Sequence, residues 1–127
     1  MGIAAAIRQV TRTFVGEPAL LPRHLVERYP EILRARWRRG GLPVRVGGWC
    51  LGRSSVSAIT LWRTIWLAPG LEPSGELLLH ELRHVDQFAA SRLFPLEYLW
   101  QSVRHGYFRN RFEVDACAYA AQRIRES

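Results

Sequence analysis

The stretch Leu77-Leu78-Leu79-His80-Glu81-Leu82-Arg83-His84-Val85-Asp86-Gln87-Phe88 constrains this chain more than any other. Ser74 can cap a helix that opens at about residue 75, with Glu76 in its first turn, and Pro95 stops that helix beyond Leu93. On such a helix His80 and His84, four residues apart, are separated by about 40° around the axis and leave from one face. Two neutral imidazoles on one face suit a divalent metal such as zinc. Glu81, next to the first histidine, is placed to take a proton from water that such a metal activates. The flanking residues Leu77, Leu78, Leu79, Leu82, Val85 and Phe88 make the helix apolar around much of its circumference, so it is expected to be buried. Buried histidines need partners, and a metal is one.

The 127 residues are enough for a single domain with a hydrophobic core, and a content of 48% hydrophobic and 23% charged residues is that of an ordinary globular chain. No apolar run approaches the roughly 20 residues of a membrane-spanning helix. Residues 1–10 lack the basic-then-long-apolar order of a secretory signal, so none is expected and the chain is assigned to the cytoplasm. The net charge of +7 comes from arginine alone, with no lysine, and seven arginines fall between Arg23 and Arg45. Such a patch can bind nucleic acid, acidic protein or anionic lipid, but no nucleic-acid motif accompanies it and a solvated helix face is favoured. Cys50 and Cys117 make no disulfide framework and are expected to be reduced and buried.

Along the chain, residues 1–20 form an arm or short helix. Pro22 can open a helix over about 23–39, kinked or split at Pro30 and ended by Gly40-Gly41, so that residues 1–40 form a helical extension to a core over 42–127. Leu42–Val46 and Trp49–Leu51 suggest strands around Gly47-Gly48. Ala58–Leu67, rich in β-branched and aromatic residues and closed by Pro69-Gly70, predicts one strand with Trp62 and Trp66 on one face and Arg63 and Ile65 on the other. Two further helices are expected at about 96–105 and 111–125, ended by Gly106 and capped by Asn110.

A catalytic zinc usually takes three protein ligands and keeps one position open. Glu97, His105, Glu113 and Asp115 are the downstream candidates for the third. Glu113, at the start of the last helix, is preferred, since two helices side by side would bring its carboxylate to the histidines. The competing role for Glu113 is a capping box with Asn110, and His105 is the alternative ligand. Tyr98, Tyr107 and Tyr119 are candidate donors to a developing oxyanion.

These residues together resemble a zincin of the gluzincin type reduced to its minimum. They also resemble short bacterial zincin-like domains with the motif His-Glu-x-x-His-x-x-Gln, here His80 to Gln87. Asn110 to Ala116 matches the Asn-x-x-Glu-x-Glu/Asp-Ala segment of those domains, and Thr60, Ile65, Pro69 and Gly70 match their upstream strand-loop. The similarity covers about residues 58–120. It implies His80 and His84 as zinc ligands, Glu113 as the third and Glu81 as general base. It also implies an edge strand, here Trp62, Arg63, Thr64 and Ile65, that pairs with an extended peptide or protein substrate. The gluzincin pattern has an Asp one turn after the ligand Glu, orienting the first histidine; here that position is Cys117, with Asp115 as a substitute.

The expectation is therefore an α+β minimal zincin-like fold carrying a zinc-dependent peptidase. The alternatives are a non-catalytic, zinc-stabilised peptide-binding domain and a SprT-like protease associated with nucleic acid.

Overall fold

A computed structural model describes residues 2–41, 43 and 57–127. The fold is α+β. Its elements are α1 (Ile3–Val15), β1 (Glu17–Pro18), α2 (Arg23–Arg28), a 3₁₀ turn (Pro30–Arg34), β2 (Arg36–Arg39), β3 (Ala58–Leu61), β4 (Thr64–Leu67), α3 (Gly75–Ala90), α4 (Phe94–His105) and α5 (Arg111–Arg125). Four strands form one sheet in the order β1-β2-β4-β3; β2 runs parallel to β4, and the outer pairs are antiparallel. Leu78, Leu79 and Leu82 of α3 pack on Ile65 and Leu67 of β4 and Trp37 of β2, joined by Leu25, Tyr29, Ile32, Ala35 and Ala120 in one cluster. The apolar circumference of α3 is thus explained: the sheet covers one side and α5 another.

The expected helix over 23–39 does not form as one element. α2 ends before Pro30, which disfavours the helical conformation at Tyr29 and cannot donate a backbone bond, and a 3₁₀ turn follows. Arg36–Arg39 is a strand, registered Arg36↔Thr64 through Arg39↔Leu67, because Trp37 buries its ring while its Nε1 donates to Ile32 O at 2.7 Å. Gly40-Gly41 therefore ends a strand rather than a helix. Residues 17–39 are not a helical extension: they supply two strands and five core side chains. Only α1 fits the description of an arm, since none of its residues is buried. The expected strands at 42–46 and 49–51, like Cys50, lie outside the described residues, Pro43 excepted.

The expected single strand over 58–67 is a hairpin. It turns at Trp62-Arg63, where Trp62 takes φ 56°, the left-handed region that a bulky side chain seldom occupies. Two consequences follow. β4, with Thr64 and Ile65, is flanked on both sides and offers no free edge; β3 has β4 as its only neighbour among the described residues. Trp62 is exposed in the turn with its ring 5.4 Å from that of Phe88, and Ile65 is core. The face pattern expected for Trp62, Arg63, Ile65 and Trp66 on one continuous strand does not apply.

Downstream, the helices match expectation to within a few residues. Ser74 caps α3, accepting from Leu77 N–H at 3.1 Å. α4 starts at Phe94 with Pro95 in its first turn, where a proline costs no helical bond. Asn110 is fully buried: its Oδ1 accepts from Phe112 N–H, and its Nδ2 donates to Tyr98 O and Ser102 Oγ. That one side chain clamps the start of α5 against α4.

Candidate metal centre

α3 and α5 lie side by side, which sets Glu113, in the first turn of α5, opposite the two histidines. Glu113 Oε2 is 2.9 Å from His80 Nε2, and its Oε1 is 3.1 Å from His84 Nε2. The capping-box role is not taken, because the carboxylate is engaged by the histidines and Asn110 N–H donates to Tyr107 O. Both imidazoles thus turn Nε2 toward the same point. Ligand atoms of His80, Glu81 and His84 lie within 4.8 Å of one another, and Glu81, His84 and Glu113 are all buried.

The other face of each ring is also held. Gln87 Oε1 lies 2.7 Å from His84 Nδ1, and an amide oxygen can only accept, so Nδ1 carries a proton and Nε2 is the atom left for a metal. Gln87 is itself fixed through Nε2, which donates to Phe112 O and Asp115 Oδ2, both at 3.0 Å. Asp115 is not the substitute partner of His80. Its carboxylate takes Arg83 Nε at 2.8 Å and Gln87, and the Arg83 bond holds it below its ordinary pKa. Cys117 does stand at His80: Sγ is 3.5 Å from Nδ1. The thiol is exposed rather than buried, and desolvation with the nearby Glu113 and Glu76 charges raises its pKa, so it stays protonated. A thiol can donate to Nδ1 or accept from it, whereas a carboxylate in that place could only accept.

The general-base candidate has a partner from the sheet. Thr60 Oγ1, buried on β3, donates to Glu81 Oε2 at 2.8 Å. Tyr98 donates from its hydroxyl to Glu113 Oε1 at 2.7 Å, and burial followed by the Glu113 charge pushes its pKa far above the usual phenol range. Of the tyrosines, Tyr98 and Tyr107 line the cleft over the site, while the Tyr119 ring lies 5.1 Å from the Arg83 guanidinium and is not part of that lining. His105 is exposed at the end of α4 and is not among the grouped ligand atoms.

Charge follows from this packing. Burial alone would lower the His84 pKa, but the Glu113 bond, the Glu81 and Glu113 charges and the Gln87 bond carry it up to about 9. Burial would raise Glu113, but the bonds from His80 and His84 hold it well below the usual carboxylate range. Both shifts favour the charged forms, an imidazolium beside a carboxylate. A divalent cation that replaces the shared protons meets two imidazole nitrogens and one or two carboxylate oxygens, a donor set that such ions accept.

The site opens into a cleft of about 1180 Å³ whose lining includes Ala58–Leu61 of β3, Leu77, Phe88, Phe94, Leu99 and Val103. The resemblance includes Thr60 and Gln87 in its motifs but gives neither a chemical role. Gln87 is legible as the i+3 neighbour of His84 on one helix face; the bond of Thr60 to Glu81 is not, because the two lie 21 residues apart across the core. No protein-family model matches the chain, and neither a curated protein nor a solved structure matches it with significance.

Proposed function

We propose that this chain is a zincin-like, zinc-dependent peptide hydrolase. The observation that supports it most is the convergence of His80 Nε2 and His84 Nε2 on the Glu113 carboxylate, with Glu81 beside them. His80, His84 and Glu113 would hold the metal; zinc suits two nitrogens and one carboxylate, and when bound it polarises a carbonyl and acidifies water. Glu81, oriented by Thr60, takes the proton of the attacking water and returns it to the leaving amine. Tyr98, released from Glu113, can donate to the oxyanion. β3, with its outer edge unpaired among the described residues, offers backbone groups to an extended peptide, and the apolar lining of the cleft receives its side chains.

Metal content and hydrolysis of a quenched peptide library test this together. About one zinc per wild-type chain is expected, with loss in His84→Ala and Glu113→Ala. Glu81→Gln should keep the metal and lose hydrolysis. Zinc bound by a wild type that cleaves nothing would favour a second reading, a zinc-stabilised peptide-binding domain, which Cys117 in contact with His80 also suits. No zinc in the wild type, after incubation with it, removes both.

A further inference from the structure

Two helices of this protein present apolar faces to solvent. On α1, Ile3, Ile7, Val10 and Phe14 recur at helical spacing and are 53–82% exposed. On α4, Phe94 and Tyr98 turn inward, while Leu96, Leu99, Trp100 and Val103 form an outward stripe that is 59–75% exposed. A helix that packs on its protein ordinarily presents its polar side outward, so eight large apolar side chains in two stripes require an explanation. Both stripes reach one place: Phe14, Leu99 and Val103 line the same cleft.

Charge identifies what covers them. Arg8 on α1, Arg92 before α4, Arg104 in its last turn and Arg109 beyond it are exposed and have no ion-pair partner among the described residues. α1 has no acidic residue, and α4 has only Glu97, which pairs with Arg111. Two copies meeting through these faces would bring unpaired arginines of two chains of net charge +7 together. An anionic lipid surface neutralises them and accepts the apolar stripes at the depth where amphipathic helices lie. α1 is built for that position: it is held to the body at its C-terminal end, where Trp66 Nε1 and Arg38 Nε donate to Val15 O.

We infer that α1 and α4 together form a docking face for anionic membrane surfaces, with Ile3, Ile7, Val10, Leu96 and Trp100 entering the interface and Arg8, Arg92, Arg104 and Arg109 meeting the headgroups. The face adjoins the cleft of the candidate metal centre but needs no metal for lipid binding, and it requires no membrane-spanning helix; no described helix is long and apolar enough for one.

Vesicle co-sedimentation of the full chain tests it, using phosphatidylcholine alone and phosphatidylcholine with a third of phosphatidylserine. Binding to the anionic vesicles should exceed binding to the neutral ones at least tenfold. Ile7→Glu and Trp100→Glu, each at a 60% exposed position that leaves the core intact, should each weaken it at least fivefold. Arg8→Ser combined with Arg104→Ser should remove the preference for anionic lipid. Wild-type binding that both Glu variants retain would overturn the inference, since charge alone would then account for it. Absence of vesicle binding, with sedimentation equilibrium giving a dimer that Ile7→Glu or Trp100→Glu dissociates, would overturn it in favour of self-association. A monomer that binds neither vesicle overturns it outright.

Discussion

His84 carries the most information at the scale of single residues, because its two nitrogens have separate duties. Nδ1–H is committed to Gln87 and Nε2 to the Glu113 carboxylate. Gln87→Leu removes the acceptor, leaves a buried N–H unpaired and frees the ring; zinc affinity measured by competition with a chromophoric chelator should fall about 10–100-fold. Cys117→Asp should act in the opposite sense. A carboxylate at His80 Nδ1 can only accept, so it selects the tautomer with Nε2 free, and affinity should rise about tenfold. The pH response of the metal-free protein has a definite sign. The His84 pKa is raised from 6.5 to about 9, so the stability it lends is complete below pH 6.5 and is lost as pH rises through 9. Glu113 is lowered from 4.5, so its share of the same pair is complete above that value and is lost as pH falls below it. Urea unfolding of chelator-treated protein should therefore give a maximum between about pH 5 and 6.5 and a decline on the order of 3 kcal/mol by about pH 10. Glu113→Gln should flatten that alkaline decline.

Among the elements, α3 and α5 carry the proposed ligands, and the contacts that set their approach lie outside the candidate metal centre. Asn110 is the clearest case: it caps α5 and donates twice to α4. Asn110→Ala removes a cap and both bonds that tie the start of α5 to α4; a loss of roughly 2–4 kcal/mol is expected in urea unfolding, with weakened metal binding because Glu113 sits one turn beyond the cap. β3 contributes in a different way, through Thr60. Thr60→Val conserves shape but deprives Glu81 Oε2 of its donor, so hydrolysis should fall about tenfold or more at unchanged zinc content. A variant with both intact would leave Thr60 a packing residue only.

For the whole molecule, the division of labour runs between α1 and everything after it. Deleting residues 2–13 removes no buried side chain and should change stability by no more than about 1 kcal/mol. Trp37→Ala, in a strand registered against β4, should cost about 3–5 kcal/mol, since it opens the core and removes the bond from its Nε1 to Ile32 O. Equal, small effects would mean that residues 17–39 are an appendage after all. Three of the front arginines are absorbed by the same architecture. Arg38 and Arg39 donate to backbone carbonyls and Arg34 pairs with Asp86, so they fasten segments together rather than forming a charged stripe. What the sequence by itself determined was local: the α3 helix and its cap, the shared face of His80 and His84, and the α5 helix with Asn110 at its start. Each depends on spacing within one element, and helical periodicity encodes that directly. Tertiary structure decided the rest. Arg36–Arg39 became a strand because β4 was there to pair with it. The 58–67 stretch folded back on itself, which moved the free edge to Ala58–Leu61. Thr60 met Glu81, and Asp115 turned to Gln87 instead of His80. These outcomes depend on pairings between residues distant in sequence, set by which surfaces can be buried together, and no period along a single stretch records them.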